Sequence, residues 1–170
     1  MTRISAIFGT ALFLALAPGF VAGVVPWWMS GWERQAPLFG LPIVRAIGIL
    51  LILIGTPVLL DSFARFALHG EGTPAPVLPP RHLVVSGLYR HVRNPMYLAV
   101  AATIIGQGLY LGNVALLGYG ALIGLAFHLF VLGYEEPTLR RSFGAEYDAF
   151  CANVPRWLPR LRPWHRDRTT

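Results

Sequence analysis

Four long apolar segments, separated by polar and proline-rich stretches, dominate the pattern of the chain: Ile4 to Trp28, Leu41 to Leu60, Met96 to Leu111 and Val114 to Gly133. Each is hydrophobic almost all round, and most approach the roughly 20 residues that a bilayer-spanning helix requires. Lipid offers backbone groups no partners, so segments of this length are predicted to be helical; nothing shows the ten-residue alternation of an outer-membrane barrel. The pattern therefore predicts an all-α polytopic membrane protein with four transmembrane helices. Residues 1–80 would form an N-terminal two-helix hairpin and loop, and residues 81–170 the functional core. The start of the first segment, with Arg3 and Ala15-Leu16-Ala17, also resembles a cleavable signal peptide. Pro18 directly after that site, and continuation of the run to Trp27 and Trp28, favour a retained span ending in an interfacial aromatic belt.

The turn at Gly112-Asn113 is too short for anything but an antiparallel hairpin of the third and fourth spans, so their other ends emerge on one side of the membrane. One of those ends reads YRHVRNPMY and the other YEEPTLRRSFGAEYDAF, which predicts that Arg93, Asn94 and Tyr97 face Glu135 and Glu136. Pro95 suits the first turn of a helix, whereas Pro137 predicts an extended Glu136 and a break after the fourth span. Beyond it, Leu139, Phe143, Tyr147 and Phe150 recur at helical spacing, as in an amphipathic interfacial helix on the cytoplasmic surface. The tail VPRWLPRLRPW has proline at every fourth position, cannot stay helical, and should lie extended with Trp157 and Trp164 at the interface.

Composition agrees with a membrane protein: 55% of the 170 residues are hydrophobic, 13% are charged, and mean hydropathy is +0.55. All fourteen basic residues are arginine. They concentrate between the second and third spans and after the fourth, which places both segments, and both termini, in the cytoplasm by the positive-inside rule. The net charge of +6 then reflects contact with anionic lipid headgroups and calls for no nucleic acid. Abundant Ala and Gly beside an arginine-only basic set suggest a GC-rich bacterial genome, and so the bacterial inner membrane. A single cysteine, Cys151, rules out a disulfide framework and a multi-cysteine metal site. No H-E-x-x-H, G-x-S-x-G or Walker motif occurs, and Gly106 and Gly108 lie within a span, so no metal and no Rossmann cofactor is expected. Gly120 and Gly124 read as a helix-packing pair, and Asp61 with Arg65 one turn on reads equally as an internal ion pair or a functional group. What remains is an acidic and cationic cluster with tyrosines at a lipid boundary. It suits a polar cofactor arriving from the cytoplasm and a lipophilic substrate arriving from the side.

These residues carry a resemblance. PRHLVVSGLYRHVRNPMYLAV, followed after two apolar segments by EEPTLRRSFGAEYDAFCANVPRWLP, is similar to the core of the isoprenylcysteine carboxyl methyltransferase family and its phospholipid-methyltransferase-like relatives, over roughly Arg81 to Pro159. The resemblance implies a membrane enzyme that uses S-adenosylmethionine. Its cofactor contacts would fall on Arg81, His82, Leu83 and Val84, on Tyr89, on Asn94, Pro95, Met96 and Tyr97, and on Glu135. Asn94 stands where the family usually has histidine, and an amide cannot carry a proton. Where the carboxyl methyltransferases place an arginine one helical turn before the glutamate, this chain has Val131. A prenylcysteine carboxylate would then need Arg140 or Arg156 as its cation, and the expected acceptor is an amine or hydroxyl of a membrane lipid or small hydrophobe. Such an acceptor must lose a proton, for which Glu135 and His128 are the candidate catalytic groups. Two other readings stand beside this one: a membrane reductase related to the sterol reductases, using NADPH, and a non-enzymatic scaffold or transporter.

Overall fold

The computed structural model describes residues 3–69 and 82–165; Arg81, a candidate cofactor ligand, lies outside them. Among the described residues every regular element is helical. In chain order these are α1 (Arg3–Leu16), a π-turn (Phe20–Val24), α2 (Val25–Ser30), α3 (Pro42–His69), α4 (Pro95–Leu111), α5 (Val114–Phe130), a second π-turn (Val131–Glu135), α6 (Glu136–Phe143) and α7 (Ala145–Asn153). Short 3-10 turns occur at Leu38–Gly40 and Gly87–Arg90. Among the described residues three continuous stretches are long and apolar enough to cross a membrane, Ala11–Ser30, Pro42–Arg65 and Val114–Phe143, and α4 is a shorter apolar helix of 17 residues.

Both π-turns have the same cause. Pro26 has no N–H, so the carbonyl of Ala22 loses its helical donor; the N–H of Val25 shifts back to Phe20, leaving the Val21 carbonyl free as well. The neighbouring helices supply the missing donors. Gln107 Nε2 donates to the Ala22 carbonyl at 2.7 Å, and the Tyr119 hydroxyl donates to that of Val21 at 2.9 Å. In a membrane this is how proline-interrupted backbone is satisfied. Pro137 produces the second π-turn, with the N–H of Glu136 reaching back to Val131. The expected break after the fourth span is therefore absent. Glu136 keeps helical dihedrals (φ −61°, ψ −44°), because the wider turn relieves the clash that proline normally imposes on the residue before it.

α3 and α4 approach until their backbones touch. A Cβ on Gly48 would lie 2.6 Å from the Gly106 carbonyl oxygen, and one on Gly106 would lie 2.7 Å from that of Gly48; one turn-pair along, Gly55 meets Thr103 and the carbonyl of Ala99. Of the two glycines singled out on the fourth span, Gly120 packs against Ile105, but Gly124 has nothing within 4 Å. The α4–α5 hairpin is closed by Gly112 in the left-handed conformation (φ 74°) and by the side chain of Asn113, which accepts from the N–H of Leu116. Around the seam a core forms from Leu59, Phe63, Met96, Ala99, Val100 and Ile104, with Phe13 and Phe127 against it.

The amphipathic helix expected over 139–150 is two helices, split at Gly144 (φ 51°, ψ −127°). Its stripe is covered by this chain: Tyr147 and Phe150 are buried with Val154, and Leu83, Val85 and Trp164 pack on them.

Candidate functional site

Two polar layers meet where α3, α4 and the second π-turn end on one side. In the first layer the Tyr97 hydroxyl, near the start of α4, donates to Glu135 Oε2 at 2.6 Å, and its ring lies 4.6 Å from that of Phe127. Tyr89 is buried just beneath, hydrogen-bonded to Ser62 of α3, and desolvation pushes its phenol far above the ordinary value, so it stays protonated. Asp61 and Arg65 form a bidentate pair (2.7 and 2.9 Å) on the same face of α3. Gly87 (φ 52°) is the residue that permits this approach, since a Cβ there would run into the Arg65 guanidinium.

The second layer ties the tail to the loop. Arg156 forks onto both oxygens of buried Glu136 at 2.6 and 3.0 Å, and Arg93 joins the same carboxylate at 3.1 Å while donating to Cys151 Sγ at 2.7 Å. Backbone bonds run alongside: the N–H of Arg93 to the carbonyl of Pro155, that of Arg160 to His91, and that of Trp164 to Arg90. Side chains add to them, with Arg90 Nε donating to the Trp164 carbonyl, His91 Nδ1 meeting that of Arg160, and Asn94 Nδ2 donating to that of Arg156. The tail is extended, as its prolines predict. Three buried polar atoms of this loop, Ser86 Oγ, Arg90 Nη2 and Arg93 Nε, have no hydrogen-bond partner among the described residues.

Against the first layer lies an apolar crevice of about 200 Å³. Phe13, Ala17, Pro18 and Val21 of the first helical stretch form one wall. Met96, Tyr97 and Val100 of α4, with Phe127 and Phe130 of α5, form the other. Tyr97 belongs to both environments, with its ring in the crevice and its hydroxyl on Glu135.

The residues expected to face one another across the hairpin do so: Tyr97 meets Glu135 and Arg93 meets Glu136. Tyr89, Asn94, Pro95 and Met96 are buried beside them, Val84 is buried, Leu83 packs under Trp164, and His82 is exposed. His128 accepts at Nδ1 from the Trp157 indole at 3.0 Å. Glu136 does not pair with Arg140 one turn on; Arg140 bonds Asp148 at 2.8 Å in an exposed position. Val131 is not the residue above Glu135 on the open face. It is buried, and the wider turn brings Phe130 to the crevice instead, a shift that a sequence without its hydrogen bonds does not reveal. Ser62, Gly87 and the wall from the first helix were not picked out from the sequence. Of these only Gly87, a lone glycine inside a basic loop, carries a local signal.

These features define an all-helical integral membrane protein whose polar groups gather at one end of a helical hairpin, beside an apolar crevice. The chain matches the phospholipid methyltransferase family over residues 43–146 and belongs to that family of membrane methyltransferases. The nickel-cobalt-cadmium resistance protein NccN of Alcaligenes xylosoxydans xylosoxydans is 31% identical over 90 residues, covering 51% of this chain. The chain spans only 40% of that relative's length. No solved structure matches.

Proposed function

We propose that this protein transfers a methyl group from S-adenosylmethionine to a lipophilic acceptor at the cytoplasmic face of the membrane. The observation that carries the proposal is Tyr97, which joins a polar site to an apolar crevice through one side chain. When bound, S-adenosylmethionine supplies an electrophilic methyl group on a sulfonium. The residues present fit it. The orphaned donors of Ser86, Arg90 and Arg93 suit a carboxylate, Glu135 suits an amino group or ribose hydroxyls, and the faces of Tyr97 and Phe127 suit a sulfonium cation. Buried Tyr89, bonded to Ser62, and Asn94, bonded to the tail, hold the loop in shape. Holding acceptor and methyl donor in line is worth up to roughly 7–11 kcal/mol.

The acceptor is an amine or hydroxyl in preference to a carboxylate. Arg156 is matched to Glu136, Arg65 to Asp61 and Arg140 to Asp148, the remaining donors of Arg90 and Arg93 are assigned to the cofactor's carboxylate, and Phe130 is apolar. A buried substrate carboxylate without its own cation would be expensive. An amine or hydroxyl must shed a proton, and Glu135, the carboxylate bonded to the crevice's Tyr97, is the group to take it. His128 is engaged by Trp157 and serves the tail. Four spans, with α4 the shortest, put the loop and the tail together in the cytoplasm; the 30-residue stretch to Phe143, about 45 Å long, then carries α6 to the headgroup level with α7 at the interface. The membrane is the inner membrane of a bacterium, with both termini cytoplasmic.

Isothermal calorimetry on detergent-purified protein tests the proposal. Saturable binding of S-adenosylmethionine or its demethylated product is expected, and it should be lost in Glu135→Ala. Undetectable binding of either at millimolar concentration by folded protein would overturn it, and binding of NADPH in their place would support the reductase reading.

A further inference from the structure

The crevice against Tyr97 has a wall that the family match does not include. The match begins at residue 43, yet Phe13, Ala17, Pro18 and Val21 come from the first helical stretch. That stretch is held in place by the donors its π-turn recruits, Gln107 from α4 and Tyr119 from α5, and by Phe13, whose ring lies 6.1 Å from that of Phe63 on α3. Its position relative to Tyr97 is thus fixed from both ends. The volume also limits what enters. An engineered apolar cavity of about 150 Å³ holds one benzene, so the 200 Å³ here admits about one substituted ring or one short alkyl segment.

We propose that this crevice seats the hydrocarbon portion of the methyl acceptor as a single chain or ring, with its reactive group at Tyr97 and Glu135, and that the first helix sets the accepted length. The proposal rests on the methyl-transfer reading for what happens at the reactive group, but not for the seat itself. A glycerolipid with two chains fits at most one of them here. The crevice accordingly reads one hydrocarbon chain or ring of the acceptor, and any second chain would stay outside it. Ala17 and Phe13 act in opposite senses: bulk at residue 17 shortens the crevice, and truncation at residue 13 extends it.

The test uses the full chain in lipid nanodiscs and n-alkyl primary amines, from butyl to hexadecyl, each carrying a terminal diazirine. Photolabelling should map to residues 13–21 and 127–130 and fall sharply beyond an optimal length, since each methylene that no longer fits costs roughly tenfold or more. Ala17→Trp should move the optimum to shorter amines and Phe13→Ala to longer ones, with S-adenosylmethionine affinity retained as the sign of an intact fold. Equal labelling at every chain length, or an optimum unmoved in both variants while the cofactor still binds, would overturn the proposal. Failure of the wild type to bind S-adenosylmethionine, with the length dependence preserved, would instead sink the methyl-transfer reading and leave the seat standing.

Discussion

Glu135 and Glu136 are adjacent in sequence and have opposite surroundings. Among the described residues Glu135 has one neutral hydrogen-bond partner, the hydroxyl of Tyr97, whose ring lines the crevice; Glu136 is buried between two guanidinium groups. The first arrangement leaves capacity for a ligand and the second leaves almost none. Glu135→Gln is therefore expected to weaken cofactor binding at least about tenfold, one charge-assisted hydrogen bond being worth about 1.5–3 kcal/mol, with little change in thermal midpoint. Glu136→Ala should instead destabilise the fold by about 3–5 kcal/mol, because it strands Arg93 in a buried position, and a melting curve in detergent would separate the two variants. At this scale the sequence was informative where a hairpin turn fixed the register, as for Tyr97 and Glu135. It made the Asp61–Arg65 pair legible as neighbours one turn apart, but it was silent on Ser62, whose partner Tyr89 lies across a loop with no periodicity, and on Phe130, which the wider π-turn brings to the crevice.

Among the elements, the α3–α4 seam is the most demanding contact. Its glycines, Gly48 and Gly55 on one helix and Gly106 on the other, are seven or more residues apart or on different segments, so no short motif marks them. The spacing that did attract attention, Gly120 and Gly124, is only half used. Gly48→Val should cost about 1–3 kcal/mol by overpacking, read as reduced folded yield and a lower midpoint. Gly124→Val, which meets open space, should stay within about 0.5 kcal/mol of wild type. The prolines of the chain have a similar lesson. Pro137 was expected to interrupt its helix and instead widens one turn and lets the helix continue, as Pro26 does in the first stretch.

For the whole molecule, hydropathy alone made membrane residence legible, because apolar segments this long have few alternatives. The count of spans is less directly written, since α4 has 17 residues and owes its place to the hairpin with α5 and the seam with α3. The orientation proposed from the arginines is checked by cysteine accessibility in a Cys151→Ser background. Ala75→Cys should be labelled only from the cytoplasmic side and Ala115→Cys, beside the hairpin turn, only from the outside. Labelling of residue 75 from outside would place the loop in the wrong compartment for the cofactor.

The hydrogen bonds from Pro155–Trp164 to the Arg90–Asn94 loop also bear on how the protein is made. Every apolar segment leaves the ribosome before that tail does, so the helices can be inserted and packed while the loop still lacks its backbone partners and Glu136 still lacks Arg156. The nascent chain is then a membrane bundle with an unfinished site. On the proposed function, competence then waits for Pro155–Trp164 to be translated, which separates the timing of insertion from the timing of activity.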